Sequence, residues 1–94
     1  MQAENRTADA WLDNSMGYDT VRTTAVTTFD HAVLACEFLA DRHGITVDTS
    51  LLHQGGDIVR QVASMLDVPY TETYTADGLF VRGVTIDNVT YVIP

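Results

Sequence analysis

The spacing of apolar positions predicts a helix in the first half of the chain. Residues 31–43, "HAVLACEFLADRH", repeat apolar side chains at helical spacing, so that most of them share one side of a helix. Asp30 precedes this segment and Gly44 follows it. An aspartate favours a helix start, and a glycine favours the position just after a helix end. We therefore predict a helix over residues 31–43 with Asp30 as its N-cap.

A second helix is predicted after a connector. Residues 58–67, "IVRQVASMLD", carry their apolar side chains on a single face. Asp57 can cap the start of this helix, and Pro69 lies just beyond its end. The intervening "ITVDTSLLHQGG" is predicted as a connector with at most one helical turn at Ser50–Gln54, because two adjacent glycines disfavour a continuous helix.

The remaining segments predict strands and one short helix. The last quarter is rich in β-branched and aromatic residues, and "ADG" and "DN" between its apolar runs are typical of turns. This pattern predicts three strands in an antiparallel meander. "TVRTTAVTTF" at residues 20–29 predicts another strand, and "TADAWLDN" at residues 7–14 predicts a short helix.

Together these elements predict a single α+β domain over residues 1–94, with residues 1–6 frayed. The predicted order is helix, strand, helix, helix and three strands. Two or three helices would pack on a three- to four-stranded antiparallel sheet. A domain of this length buries a modest core, so extra stability from self-association would be unsurprising.

Acidic residues outnumber basic residues in this chain. It has 13 Asp and Glu residues against five arginines and no lysine, and its formal net charge at pH 7 is −8. Three interpretations stay open: adaptation to high salt, a GC-rich genome that favours arginine codons, and a carboxylate surface that imitates nucleic acid to a phosphate-binding protein. The negative charge disfavours nucleic acid itself as a partner.

The sequence shows no signal for crossing or entering a membrane. No apolar run approaches the roughly 18 residues that span a bilayer, and no basic segment followed by an apolar stretch begins the chain. We therefore expect a cytoplasmic protein without a membrane partner. The single cysteine cannot form an internal disulfide, which agrees with a reducing compartment.

Cys36 lies between two histidines, and nucleophilic enzymes and metal sites use these residue types. In a helix, His43 lies about 10.5 Å along the axis from Cys36, and His31 lies about 140° around it. Neither can form the hydrogen bond of roughly 3 Å that joins a nucleophile to its base. Only His53 or another distant group remains as a partner. We predict a core-facing Cys36, no catalytic residue, no metal ligand and no cofactor.

Two apolar residues interrupt the polar side of the first predicted helix. Leu34 and Phe38 fall in the middle of the polar side of the helical projection, whose charged and polar residues include Glu37, Asp41, His31 and Arg42. Either the fold covers this helix on both sides, or these residues belong to a partner or homodimer surface. A strand over "YTETYT" either packs its tyrosines on the helices or at the sheet surface, or offers a second candidate interaction surface on one of its faces. The residues of that face are Tyr70, Glu72 and Tyr74.

Two classes of function agree with these features, and a small enzyme is the least favoured alternative. The first is a small acidic protein-interaction module without catalysis. It would be a homodimeric accessory protein of a salt-adapted or GC-rich organism or of its virus, or an inhibitor that presents carboxylates to a nucleic-acid-binding protein. The second is a winged-helix DNA-binding regulator of a salt-adapted organism, because the predicted element order fits that topology. A recognition helix over 58–67 offers only Arg60 and Gln61 to a groove, and Arg82 is the one base near the wing, so the first class is preferred.

Overall fold

The computed structural model describes residues 11–13 and 19–93, and these residues form two helices and five strands. The strands are Trp11–Asp13 (β1), Asp19–Arg22 (β2), Tyr70–Tyr74 (β3), Phe80–Ile86 (β4) and Val89–Val92 (β5). The helices are Thr28–His43 (α1) and Ile58–Leu66 (α2), with a 3₁₀ turn at Thr49–Leu51 between them. The α+β class is as predicted. The predicted fraying of residues 1–6 concerns residues outside the described ones.

The sheet has the strand order β1-β2-β5-β4-β3 and combines antiparallel with parallel pairing. The antiparallel meander predicted for the last quarter is confirmed, because β4 pairs with both β3 and β5. β2 pairs with β5 in parallel, so the prediction of an entirely antiparallel sheet is wrong. Parallel neighbours need a long crossover connection, and the chain passes through both helices between β2 and β5.

The described start of the chain is extended where a helix was predicted. Trp11–Asp13 pairs antiparallel with β2, and Trp11 lies opposite Arg22. The short helix predicted over residues 7–14 is therefore wrong at the strand positions, and its other residues lie outside the described ones. Hydrogen bonds to a neighbouring strand outweigh the marginal helix stability of so short a segment.

α1 begins earlier than predicted because Thr27, and not Asp30, is its N-cap. The Thr27 hydroxyl accepts a hydrogen bond from the Asp30 N–H at 3.0 Å. Asp30 consequently lies in the first turn, where its negative charge suits the helix dipole. The strand predicted over 20–29 ends at Arg22. The predicted helix end is confirmed, since Gly44 adopts a left-handed conformation with φ of 69°.

α2 has the N-cap that the sequence predicts. One carboxylate oxygen of Asp57 accepts hydrogen bonds from the N–H groups of Val59 and Arg60, at 3.1 and 3.4 Å. At the other end, Asp67 takes the left-handed conformation that closes the helix.

The side chain of Gln61 links the connector between the helices to α2 through hydrogen bonds. Its side-chain amide donates hydrogen bonds to the carbonyls of His53 and Gly55, at 2.9 and 2.8 Å, and its oxygen accepts from the His53 N–H. The 3₁₀ turn begins one residue before the predicted helical turn, and the Asp48 carboxylate caps it.

The core lies between the helices and one face of the sheet. α1 contacts β2 and α2, while α2 contacts β3 and β4. Cys36 is fully buried in this core, as predicted. The other large side chains that are fully buried are Leu39, Leu66, Val21, Val62 and Val84. Of the helices in the described residues, neither combines the length with the apolar character that a bilayer crossing requires.

Candidate protein-interaction surface

The β3–β4 hairpin closes around a short loop at residues 76–78. The Thr75 N–H donates to the Leu79 carbonyl, and the Gly78 N–H donates to the Thr75 carbonyl, both at 2.9 Å. Gly78 has a φ of 83°, a left-handed conformation that this loop type requires and that glycine adopts without steric cost. The loop fixes the register of the hairpin, which places Tyr74 opposite Phe80.

Tyr74 and Phe80 form an exposed aromatic pair, which we name the hairpin pair. Their ring centroids lie 5.4 Å apart in an edge-to-face arrangement, and the side chains are 65% and 51% exposed. Leu79 beside them is 57% exposed, so three of the five most exposed large hydrophobic residues in the described part of the chain occupy one hairpin. Such clustering is typical of an interaction site, whereas single exposed apolar residues are ordinary.

A cavity of about 390 Å³ adjoins the hairpin pair. Phe80 lines it together with residues of β2 and β4, among them Thr20, Arg22, Val81 and Arg82. Phe80 therefore adjoins both the exposed Tyr74 ring and a concave, partly apolar surface. A protruding aromatic group beside a cavity is a common arrangement at the centre of protein interfaces.

The other two residues of the predicted β3 surface join a polar network with α2. The Tyr70 hydroxyl donates a hydrogen bond to the Glu72 carboxylate at 2.7 Å. The Arg60 guanidinium lies 3.7 Å from the same oxygen and 4.1 Å from the centre of the Tyr70 ring. Burial, followed by the hydrogen bond to Glu72, raises the pKa of Tyr70. These contacts hold the Tyr70 and Glu72 side chains on the helix side of β3.

One edge of β3 carries no neighbouring strand among the described residues. The Thr85 N–H donates to the Pro69 carbonyl, and the Thr75 N–H donates to the Leu79 carbonyl, so the odd-numbered residues of this segment face β4. In an antiparallel pair the backbone groups of successive residues point alternately toward and away from the partner strand. Three residues therefore direct their N–H and C=O groups outward. They are Tyr70, Glu72 and Tyr74.

The residues predicted on α1 lie at a separate place. Leu34 and Phe38 are both half-buried, and Phe38 packs against the core. Glu37 is exposed and accepts a hydrogen bond from the Thr49 hydroxyl at 3.1 Å, so the 3₁₀ turn lies beside this part of α1. Asp41 is exposed. Because α2 packs between α1 and β3, the two predicted surfaces do not merge into one.

A carboxylate, an imidazole and a hydroxyl meet at the C-terminal end of α1. His43 Nε2 lies 3.1 Å from the Tyr91 hydroxyl, and Nδ1 lies 3.4 Å from the Asp87 carboxylate. The order of these groups resembles that of a proton relay, but Tyr91 is buried and offers no hydroxyl to a substrate. The contacts of His43 with Tyr91 and Asp87 join the end of α1 to the β4–β5 hairpin. Within the described residues, no three His, Cys, Asp or Glu side chains are grouped so that they could hold a metal ion.

Sequence reasoning missed Leu79, Phe80 and Arg60 as members of the β3 surface. A signal for Phe80 was present: a three-residue loop at "ADG" places it directly opposite Tyr74. No local signal marks Arg60, because its position depends on how α2 packs against β3.

Comparisons with family models, with curated proteins and with solved structures found no match.

Proposed function

We propose that the chain is a non-catalytic protein-interaction module that binds its partner through the β3–β4 hairpin. The hairpin pair is the observation that carries this proposal. Tyr74 and Phe80 place two rings side by side in solvent at the end of a free strand edge, and Phe80 also lines a cavity. Aromatic residues are the commonest anchors of protein interfaces because they bury a large area at a small cost in side-chain entropy.

The charge of the chain supports a partner with a basic surface. A net charge of −8 repels acidic proteins and nucleic acids, and it accelerates association with a cationic surface. A nucleic-acid-binding protein has such a surface, so the proposal includes an inhibitor that occupies it. Two statements remain predictions from the sequence: that the chain is a homodimeric accessory protein, and that it is cytoplasmic.

The contacts of α2 give the winged-helix alternative little support. Arg60 interacts with Asp57 and Glu72, and Arg82 interacts with Asp57. The Gln61 amide donates to two backbone carbonyls. The side chains expected to contact DNA are thus engaged within the protein. A mobility-shift assay at low and high salt tests this alternative, and the absence of a shift at both would exclude it.

A capture experiment in the source organism tests the interaction module. The chain is cross-linked in a lysate at native salt, and captured proteins are identified by mass spectrometry and rebound in purified form. The wild type and a Tyr74→Ser/Phe80→Ser variant are compared. We expect one partner to be bound by the wild type and lost from the variant.

The matched control is a Val26→Ser/Leu51→Ser variant. Val26 and Leu51 are 79% and 67% exposed, yet both lie outside the hairpin. This control removes as many exposed apolar side chains and should keep the partner. Equal capture by the wild type and both variants would refute binding through the hairpin.

A further inference from the structure

The free edge of β3 presents a binding template for an extended peptide. Tyr70, Glu72 and Tyr74 direct three N–H and three C=O groups away from β4, and no described residue is paired with them. An unpaired strand edge accepts an added strand through main-chain hydrogen bonds. The hairpin pair stands at one end of this edge, so a bound strand would run alongside the Tyr74 ring.

The charges along this edge determine which kind of peptide strand can bind to it. The segment from residue 64 to residue 79 contains three acidic residues, Asp67, Glu72 and Asp77, and no basic residue. All three are exposed. Glu72 lies in the middle of the edge, and its side chain is on the same face as those of Tyr70 and Tyr74. An added strand would place a side chain opposite Glu72, and a cationic one would share this carboxylate with Arg60, which lies 3.7 Å from one of its oxygens.

A second copy of the chain fits this edge poorly. When β3 pairs with itself antiparallel over its full length, Glu72 of one copy lies directly opposite Glu72 of the other. Like charges in directly opposed positions destabilise a strand pair. Each copy also carries a net charge of −8, which opposes association at low salt.

We infer that the partner of the interaction module adds a basic strand to the free edge of β3, with a cationic side chain opposite Glu72 and an apolar one beside Tyr74. This inference rests on the proposed function and specifies its partner. Backbone hydrogen bonds to Tyr70, Glu72 and Tyr74 supply the binding, and the carboxylates select cationic sequences over acidic ones.

Amide hydrogen exchange with a synthetic peptide tests the inference. The probe is a blocked heptapeptide of sequence "TVKKKVT", added to the full chain at low salt; its central lysine and its two valines lie on the same face of an extended strand. In the free protein the amides of Tyr70, Glu72 and Tyr74 should exchange fast, while those of Thr71 and Thr73, which face β4, should exchange slowly. The peptide should slow exchange at the three outward amides, and added salt should weaken this protection.

Two control peptides separate strand addition from general attraction. The first replaces lysine with glutamate and should bind far more weakly. The second is methylated at alternate amides so that it cannot pair, and it should give no protection although its charge is unchanged. Protection by the methylated peptide, or protection elsewhere on the chain, would overturn the inference.

Two substitutions of Glu72 separate the contribution of its backbone N–H to peptide binding from that of its charge. Glu72→Gln keeps the outward N–H, and we expect it to weaken binding by about threefold, the effect of one exposed ion pair. Glu72→Pro also removes the N–H, and because that group is not bonded to β4, the strand itself should persist. The proline variant should bind no peptide. If it fails to fold, the methylated peptide on the wild type still decides the question.

The outcomes distinguish this inference from the proposed function. One outcome is that the Tyr74→Ser/Phe80→Ser variant loses its captured partner while the lysine peptide leaves the outward amides of β3 unprotected. In that case the proposed interaction module stands and strand addition is refuted. Protection of the same amides that rises with protein concentration in the absence of peptide would show that a second copy occupies the edge, and it would also refute the inference.

Discussion

The Asp57 carboxylate accepts a hydrogen bond from Arg82 at 2.6 Å, although 25 residues separate them in the chain. One oxygen of this carboxylate caps α2 and the other binds β4. A single side chain therefore joins the start of a helix to the middle of the sheet.

Replacing Asp57 should separate these two roles. Asp57→Ala loses the cap and the ion pair, and we expect it to lower the free energy of unfolding by about 2 kcal/mol. Asp57→Asn keeps a capping oxygen and should cost about 1 kcal/mol less than alanine. Urea unfolding at neutral pH measures both. Equal losses for the two variants would show that the cap contributes little.

Burial of the His31 imidazole should make the free energy of unfolding depend on pH. Its Nδ1 lies 2.8 Å from the Thr23 hydroxyl, and its Nε2 is buried without a hydrogen-bond partner among the described residues. Burial lowers the pKa of His31 below its ordinary value of 6.5. The unfolded chain therefore binds a proton at a higher pH than the folded chain, so stability should fall as the pH falls below about 6.5.

Unfolding in urea at several pH values between 5 and 8 checks this dependence. His31→Gln removes the titrating group, and it should flatten the curve between pH 5 and 7. His53→Gln, at an exposed histidine, is the matched control. Identical slopes for the wild type and His31→Gln would contradict the prediction.

Gly83 lies where β4 and β5 approach too closely for a side chain. A Cβ at this position would overlap the Tyr91 carbonyl oxygen and lie 2.9 Å from the Val92 Cα, and both obstacles are backbone. We expect Gly83→Ala to destabilise the fold by about 3 kcal/mol or more. Thermal unfolding followed by circular dichroism measures the loss. Gly55→Ala is the control, because its Cβ would lie 3.4 Å from a flexible histidine ring. Similar melting temperatures for the two variants would refute the close approach.

The hydrogen bond between His43 and Tyr91 should stabilise the docking of α1 on the sheet. Tyr91→Phe removes the hydroxyl and keeps the edge-to-face contact of the rings, whose centroids are 5.5 Å apart. The expected loss is about 1 kcal/mol, or roughly 4–8 °C in melting temperature for a domain of this size. Tyr74→Phe, at an exposed ring, should change neither quantity. A Tyr91→Phe variant that melts with the wild type would show that the bond is not stabilising.

Cys36 should be unreactive in the folded protein. The thiol is fully buried, and burial, with the adjacent Glu37 charge as a smaller cause, raises its pKa to about 11. The reactive thiolate is therefore scarce at pH 8. A chromogenic disulfide reagent should label the chain only after denaturant is added. Rapid labelling of the native protein would place the thiol at the surface.

Features that depend on neighbouring residues can be predicted from the sequence alone. Asp57 begins α2, Gly44 ends α1, and "ADG" and "DN" close the two hairpins, because capping and turn formation involve backbone groups a few residues apart. The burial of Cys36 follows from helical spacing in the same way.

Contacts between residues far apart in the chain depend on the folded arrangement of the whole domain. β2 pairs in parallel with β5, and Trp11–Asp13 is a strand, because each finds its hydrogen-bond partners across the sheet. Arg60 reaches Glu72 because of the way α2 packs against β3. The positions of these strands and of α2 depend on burial, backbone pairing and charge across the whole domain. No short stretch of sequence therefore predicts them.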